Sequence, residues 1–191
     1  MNNINEIEIF KNNKDTLKNI SCDKSEYMTE SLLEAINFDK VKDKHCRPLK
    51  LTNLPNSCDA LYQSDEIFFI EFKNGTMNPK EIYEIHKKIY DSILIFMELT
   101  GFKINEVREK VNFILVYNES KTKEYLSENN RRIQTPKSYN TLLGKIGGLA
   151  KINISKFDLS QYQKYIVKDV YTYTEKEFED NFIKKYTVIE Y

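Results

Sequence analysis

The chain has no tryptophan, and among its 191 residues are only five glycines, four prolines, three cysteines and two histidines. Cys22, Cys46 and Cys58 are odd in number, widely spaced and form no Cys-x-x-Cys pair. Such a set supports neither a disulfide framework nor, with so few histidines, a structural zinc site. His45 and Cys46 are adjacent, and sequence neighbours rarely face each other as a nucleophile and its base; a surface loop before Pro48 is expected there. Three of the five glycines lie in Leu142–Ala150, where Gly144-Lys145-Ile146-Gly147-Gly148 lacks the spacing of a phosphate-binding P-loop, so a flexible connection is expected. No apolar run approaches the roughly 18 residues of a membrane span. Met1–Phe10 is acidic and polar, unlike an export signal, which makes the cytoplasm the default location. Neither sign of charge dominates. Basic and acidic residues both number 29, which excludes a strongly basic nucleic-acid footprint over the whole chain.

What is present suits a single domain over residues 1–191, with 40% apolar and 30% charged residues and no internal repeat or linker. Thirteen Tyr and eleven Phe predict an aromatic-rich core. Charge is unevenly spread, however. Residues 101–156 carry eleven basic side chains against five acids, and Arg131 and Arg132 lie in that stretch as candidate phosphate contacts.

Local patterns predict several elements. The Ile7–Phe10 run suits an edge strand or a helical turn. Met28, Leu32, Leu33 and Ile36 fall at helical spacing and predict a helix over 29–38. Residues 41–55 read as irregular, with a short strand candidate at Leu49–Leu51. Asn78-Pro79 opens a long helix that runs to Thr100 and stops at Gly101, with Ile82, Ile85, Ile89, Ile93, Phe96 and Met97 as its apolar stripe. Lys88 and Ser92 flank that stripe, and Lys88 is a candidate contact for a phosphate. Val111–Tyr117 is a nearly continuous apolar run, as in a strand buried on both faces. Further on, Tyr165–Tyr173 reads as a strand, Thr174–Glu177 as a capping box opening a helix to about Lys185, and Thr187–Tyr191 as a final edge strand.

The richest segment is Ser57–Gly75, SCDALYQSDEIFFIEFKNG. It reads as two antiparallel strands joined by a polar turn at Ser64–Glu66. Alternation puts Glu71 and Lys73 on one face of the second strand and Phe68, Ile70 and Phe72 on the other. Asp59 lies on the first strand. Two carboxylates on paired strands, with an ammonium beside them, can hold a divalent ion and a water. Another Glu-x-Lys occurs at Glu119–Lys121, but it follows an apolar strand and no Asp lies between Asp91 and Asp158.

This arrangement resembles the PD-(D/E)xK nuclease superfamily, with Asp59 as the motif Asp and Glu71-Phe72-Lys73 as the Glu-x-Lys; Cys58 stands where a Pro often does. The resemblance covers about residues 27–118. It implies an α/β, restriction-endonuclease-like α-β-β-β-α-β core, with a central mixed sheet flanked by helices and a strand-helix extension over residues 119–191. It also implies Mg²⁺ or Mn²⁺ held by Asp59, Glu71 and the backbone carbonyl of Phe72, and an attacking water oriented or deprotonated by Lys73. Many members add a Glu from the preceding helix, for which Glu30, ahead of Glu34, is the candidate. The implied activity is hydrolysis of phosphodiesters in DNA, ahead of RNA, in phage defence or as a toxin. The alternative is a non-catalytic module on the same scaffold with a protein partner, such as an immunity protein or a defence-complex subunit. A homodimer is compatible with either, though nothing in the sequence marks a dimer surface.

Overall fold

The computed structural model describes residues 3–123 and 157–187. A six-stranded mixed sheet runs through it, built from β1 (Lys14–Thr16), β4 (Glu34–Asn37), β5 (Ala60–Gln63), β6 (Ile67–Lys73), β7 (Val111–Tyr117) and β8 (Val170–Thr174), in that spatial order. The pairs β1–β4, β4–β5 and β5–β6 are antiparallel, while β6–β7 and β7–β8 are parallel. A separate two-stranded hairpin, β2 (Cys22–Asp23) and β3 (Glu26–Tyr27), stands beside the sheet. Its turn residues Lys24 and Ser25 both have positive φ, 49° and 72°, the backbone a tight two-residue hairpin needs.

Both faces of the sheet are covered, which explains the nearly unbroken apolar character of β6 and β7. On one face α4 (Pro79–Thr100) lays Ile85, Ile89, Ile93 and Phe96 over Leu61, Ile67, Phe69, Phe113 and Leu115. Two short helices, α1 (Glu8–Lys11) and α3 (Phe38–Cys46), close this core with Phe10, Phe38 and Val41. On the other face the C-terminal helix packs Phe178, Phe182 and Ile183 onto Phe68, Ile70, Phe72, Ile114 and Val116. That helix starts as α6 (Glu175–Phe178), passes through a π-helical segment (Glu179–Ile183) and ends at Lys184–Tyr186. Two further short helices are α2 (Leu17–Ile20) and α5 (Ile104–Lys110), and residues 119–123 are also helical.

The long helix forms where its punctuation places it. Asn78 Oδ1 accepts from Glu81 N at 3.0 Å, Pro79 fills the first helical position, and Gly101 closes the helix at φ 74°. The Thr174–Glu177 capping box is likewise formed in both directions. Residues 7–10 contribute to a helical turn, α1.

Four expectations are overturned. Residues 29–38 are not a helix: the chain is extended into β4, with Ala35 and Ile36 buried on opposite faces and Leu32 73% exposed. The spacing of Met28, Leu32, Leu33 and Ile36 loses to pairing with β1, a polar segment far upstream, because strand formation depends on partners more than on local preference. The helix begins instead at Phe38, capped by Asn37, whose Oδ1 accepts from Lys40 N at 3.0 Å. Consequently His45 and Cys46 end a helix rather than lying in a loop. Leu49–Leu51 is not a strand: Arg47–Leu49 is a 3-10 turn followed by left-handed Lys50, and both leucines are exposed. Finally, β8 starts at Val170 rather than Tyr165, because residues before it are drawn into a 3-10 turn (Leu159–Tyr162) and a bridge between Gln163 and Val167. The glycine-bearing segment 142–150, Arg131 and Arg132, and all but the first residue of the expected final strand lie outside the described residues.

Candidate functional site

The β5–β6 hairpin places the two acids. Its register pairs Ala60 with Ile70, so Asp59, one residue before β5, continues opposite Glu71. Both side chains face α4. After residues 74–78 the chain enters α4, whose first turn meets Lys73 through Glu81 and whose third meets Glu71 through Lys88. Lys88 then reaches down from α4. Its Nζ lies 2.7 Å from Glu71 Oε1 and 3.4 Å from Asp59 Oδ1, so two carboxylates from neighbouring strands converge on one ammonium.

The surroundings hold Asp59 firmly. Its Oδ2 accepts from Phe72 N at 2.6 Å, and its carbonyl accepts from Phe38 N at 2.9 Å. The preceding residue is fixed as well: Cys58 N donates to the buried Ser92 hydroxyl at 2.8 Å. Glu71 is only 2% exposed, and its Oε2 is a buried oxygen with no hydrogen-bond partner. A buried acceptor without a donor is costly.

A polar cleft of about 480 Å³ opens above this floor, lined by Asp39, Asp59, Glu71, Lys73 and Lys88 and walled on one side by the β2–β3 hairpin. Glu26 pins that hairpin to the sheet, accepting from Asn74 Nδ2 and pairing with Lys121, each at 2.7 Å. The electrostatics follow from burial. Desolvation, and then the neighbouring Asp59, push the Glu71 carboxyl up to about 8. Burial also raises Asp59, against the pull of Lys88. Burial opposes the Lys88 charge, but Glu71 and Asp59 override it and the ammonium is held more firmly than in water.

The remaining expected residues fall in different places. Lys73 is on the face predicted and lines the cleft, but its ammonium pairs with Glu81 of α4 rather than with Glu71. Glu30 does not approach the acids: it is an exposed loop residue paired with Lys18 at 2.6 Å. Glu34 points to solvent from β4, opposite Thr16. Both follow from the missing helix. Lys88, a candidate phosphate contact, is engaged by the two carboxylates. Of the basic residues in 101–156 that are described, Lys110, Lys121 and Lys123 pair with acids, and Arg108 Nε donates to the carbonyl of Tyr165.

Asp39 was not anticipated. It sits in the first turn of α3, accepts a hydrogen bond from Ser57 Oγ, and lines the cleft close enough to raise both Asp59 and Glu71. Its sequence signal was Asn37-x-Asp39, a cap followed by a first-turn acid. The two buried thiols are not poised as nucleophiles: burial raises Cys58 well above the ordinary range and raises Cys46 too, and His45 is turned toward Glu98 at 3.1 Å, while the exposed Cys22 lines the hairpin side of the cleft.

Among the described residues no three or more His, Cys, Asp or Glu side chains gather as a ligand cluster for a metal. The donor set nonetheless suits a hard divalent ion, since Mg²⁺ needs only one or two carboxylates and keeps several waters. Asp59 and Glu71 supply two oxygen donors at one point, and the unpartnered Glu71 Oε2 adds a third. Phe72, which also lines the cleft, keeps its carbonyl as a further candidate. Comparison with known protein families, with curated proteins and with solved structures returned no match, so the site has to be read from its own geometry. No helix among the described residues is long and apolar enough to cross a membrane.

Proposed function

We propose that this chain is a Mg²⁺- or Mn²⁺-dependent nuclease of the PD-(D/E)xK type, hydrolysing phosphodiester bonds in DNA ahead of RNA, in phage defence or as a toxin. One observation carries the reading: the carboxylates of Asp59 and Glu71, from adjacent antiparallel strands, meet at one cation on the floor of an accessible polar cleft. The topology supports it too. Antiparallel β4, β5 and β6, then α4, then β7 parallel to β6, follow the last five elements of the α-β-β-β-α-β core, although the leading helix expected at 29–38 is not formed, a helix separates β4 from β5, and α5 follows α4.

Asp59 and Glu71 would hold the ion, with the Phe72 carbonyl as a further donor. A bound divalent ion supplies charge stabilisation on the phosphoryl oxygens and a more acidic water. The chain's own contribution is to fix Asp59 through the Phe72 amide, to exclude bulk water behind Glu71, and to present Lys73 at the rim. Incubation with supercoiled plasmid and with single-stranded oligonucleotides in Mg²⁺ or Mn²⁺ tests the activity. Cleavage is expected, with Asp59→Ala and Glu71→Ala at least 100-fold slower. An inert wild-type protein under all these conditions counts against the reading.

A second reading, a non-catalytic module with a protein partner, is favoured by one feature: Lys88 already neutralises the acids a metal would use. Absence of any heat on titration with millimolar Mn²⁺, together with tight binding to a co-purifying protein, supports that alternative.

A further inference from the structure

The Glu-x-Lys pair of β6 is divided between two places on α4. Glu71 and Lys73 share one face of the strand, yet Glu71 meets Lys88 and Lys73 meets Glu81. Glu81 and Lys88 are seven residues apart, about two turns along one helix face, so the two ion pairs lie side by side in register. Lys73 and Glu81 are equally exposed at the rim, each side chain 27% accessible, whereas Glu71 is at the floor and Lys88 spans from floor to opening at 26%. The strand lysine is thus already satisfied outside the pair of acids, and the helix lysine is the cation within it.

We infer that Lys88, not Lys73, is the ammonium of this site, holding the divalent-ion seat between Asp59 and Glu71 until the metal displaces it. The assignment rests on the metal-dependent reading above. The Nζ of Lys88 touches the two oxygens that would ligate the ion. A divalent cation and an ammonium repel each other at such range, so an ion ligated by Glu71 Oε1 and Asp59 Oδ1 competes with Lys88 for those oxygens. Lysine has a flexible four-carbon stem, and this one is partly exposed at the cleft, so its head has somewhere to go. Glu71 Oε2 is buried and unpartnered while Lys88 holds Oε1, so the same carboxyl keeps a second oxygen for the ion once Lys88 has withdrawn. Lys88 is therefore a positioning residue: it keeps both carboxylates aimed at one point in the metal-free protein and competes with the metal for them.

Calorimetric titration of the full chain with Mn²⁺ separates this from a merely structural salt bridge. Lys88→Met is expected to bind Mn²⁺ at least tenfold more tightly than wild type, and Lys73→Met to stay within about threefold of wild type. Lys88→Gln is the second variant should the methionine protein not fold, with the same direction expected. An unchanged or weakened affinity in the Lys88 variants, while wild type binds Mn²⁺, overturns the role of Lys88 and leaves the metal-dependent reading standing. Binding in Lys88→Met but not in wild type upholds the seat and sinks the nuclease reading for the native chain. No binding in any of these proteins overturns both.

Discussion

At the scale of single residues, Glu71 is buried, faces a second carboxyl group and touches one ammonium. Its carboxyl titrates near 8 because it is desolvated and faces Asp59, whereas an unfolded chain returns it to about 4.5. Between those values the folded protein holds a proton that the unfolded chain has lost. Stability should therefore be full below pH 4.5 as far as this group is concerned, and fall as pH rises through the window, by about 1.4 kcal/mol per unit for one uncompensated proton. Thermal unfolding followed from pH 5 to pH 8.5 should show that decline, and Glu71→Gln should flatten it and raise the melting temperature at the alkaline end. A wild-type profile that is flat across the window contradicts the burial argument. The divided lysines belong to this scale as well. Spacing along β6 was enough to put Glu71 and Lys73 on one face, but which carboxylate each ammonium chooses is decided by α4, two turns of which lie over the strand end. No pattern in residues 57–75 contains that information. The nearest signal was seven residues of separation between Glu81 and Lys88, which has meaning only once the helix is known to run back over the strand.

At the scale of elements, legibility follows the range of the forces involved. The long helix, the buried β7, the 57–75 hairpin and the C-terminal capping box carry their own instructions, namely caps, apolar periods and turn residues, and each forms where those instructions lie. The segment 29–38 carries a misleading period. Its true state is set by β1, eighteen to twenty-two residues upstream in the ladder, a strand of Lys, Asp and Thr that no local rule singles out. The cost of that error was functional: a helix there nominated Glu30, whereas the acid that reaches the cleft is Asp39 on the helix that begins at Phe38. Two substitutions check the element-level account. Asn78→Ala should remove the cap of α4 at a cost of about 1 kcal/mol in denaturant unfolding. Ile89→Ala, in the middle of the buried stripe, should cost about 2–5 kcal/mol by the same measurement. Equal effects from the two would mean that the helix is not anchored through its apolar face.

At the scale of the whole molecule, the sheet is a partition between two cores, and Asp59, Glu71 and Lys88 meet on one side of it. The α4 side carries Asp59, Glu71 and Lys88; the opposite side carries Phe68, Ile70 and Phe72 under the C-terminal helix, with Phe68 and Phe182 edge to face at 5.2 Å. The helix over the second face thus steadies β6 from behind, and Glu71 sits on that strand between Ile70 and Phe72. Phe182→Ala should cost about 3–5 kcal/mol yet leave Mn²⁺ affinity at temperatures below the transition within about twofold, since no atom of Phe182 reaches the cleft. A large loss of affinity in the folded variant would show that the two cores are not separable in this way.

The claim on which all of this turns is that Asp59 and Glu71 are joint ligands of one divalent ion. Calorimetry with Mn²⁺ on wild type, Asp59→Asn and Glu71→Gln tests it most directly. One ion per chain in wild type, with affinity reduced at least tenfold in each variant, is the predicted result. Wild-type protein that takes up no Mn²⁺ at millimolar concentration, or variants that bind it as tightly as wild type, would contradict the account.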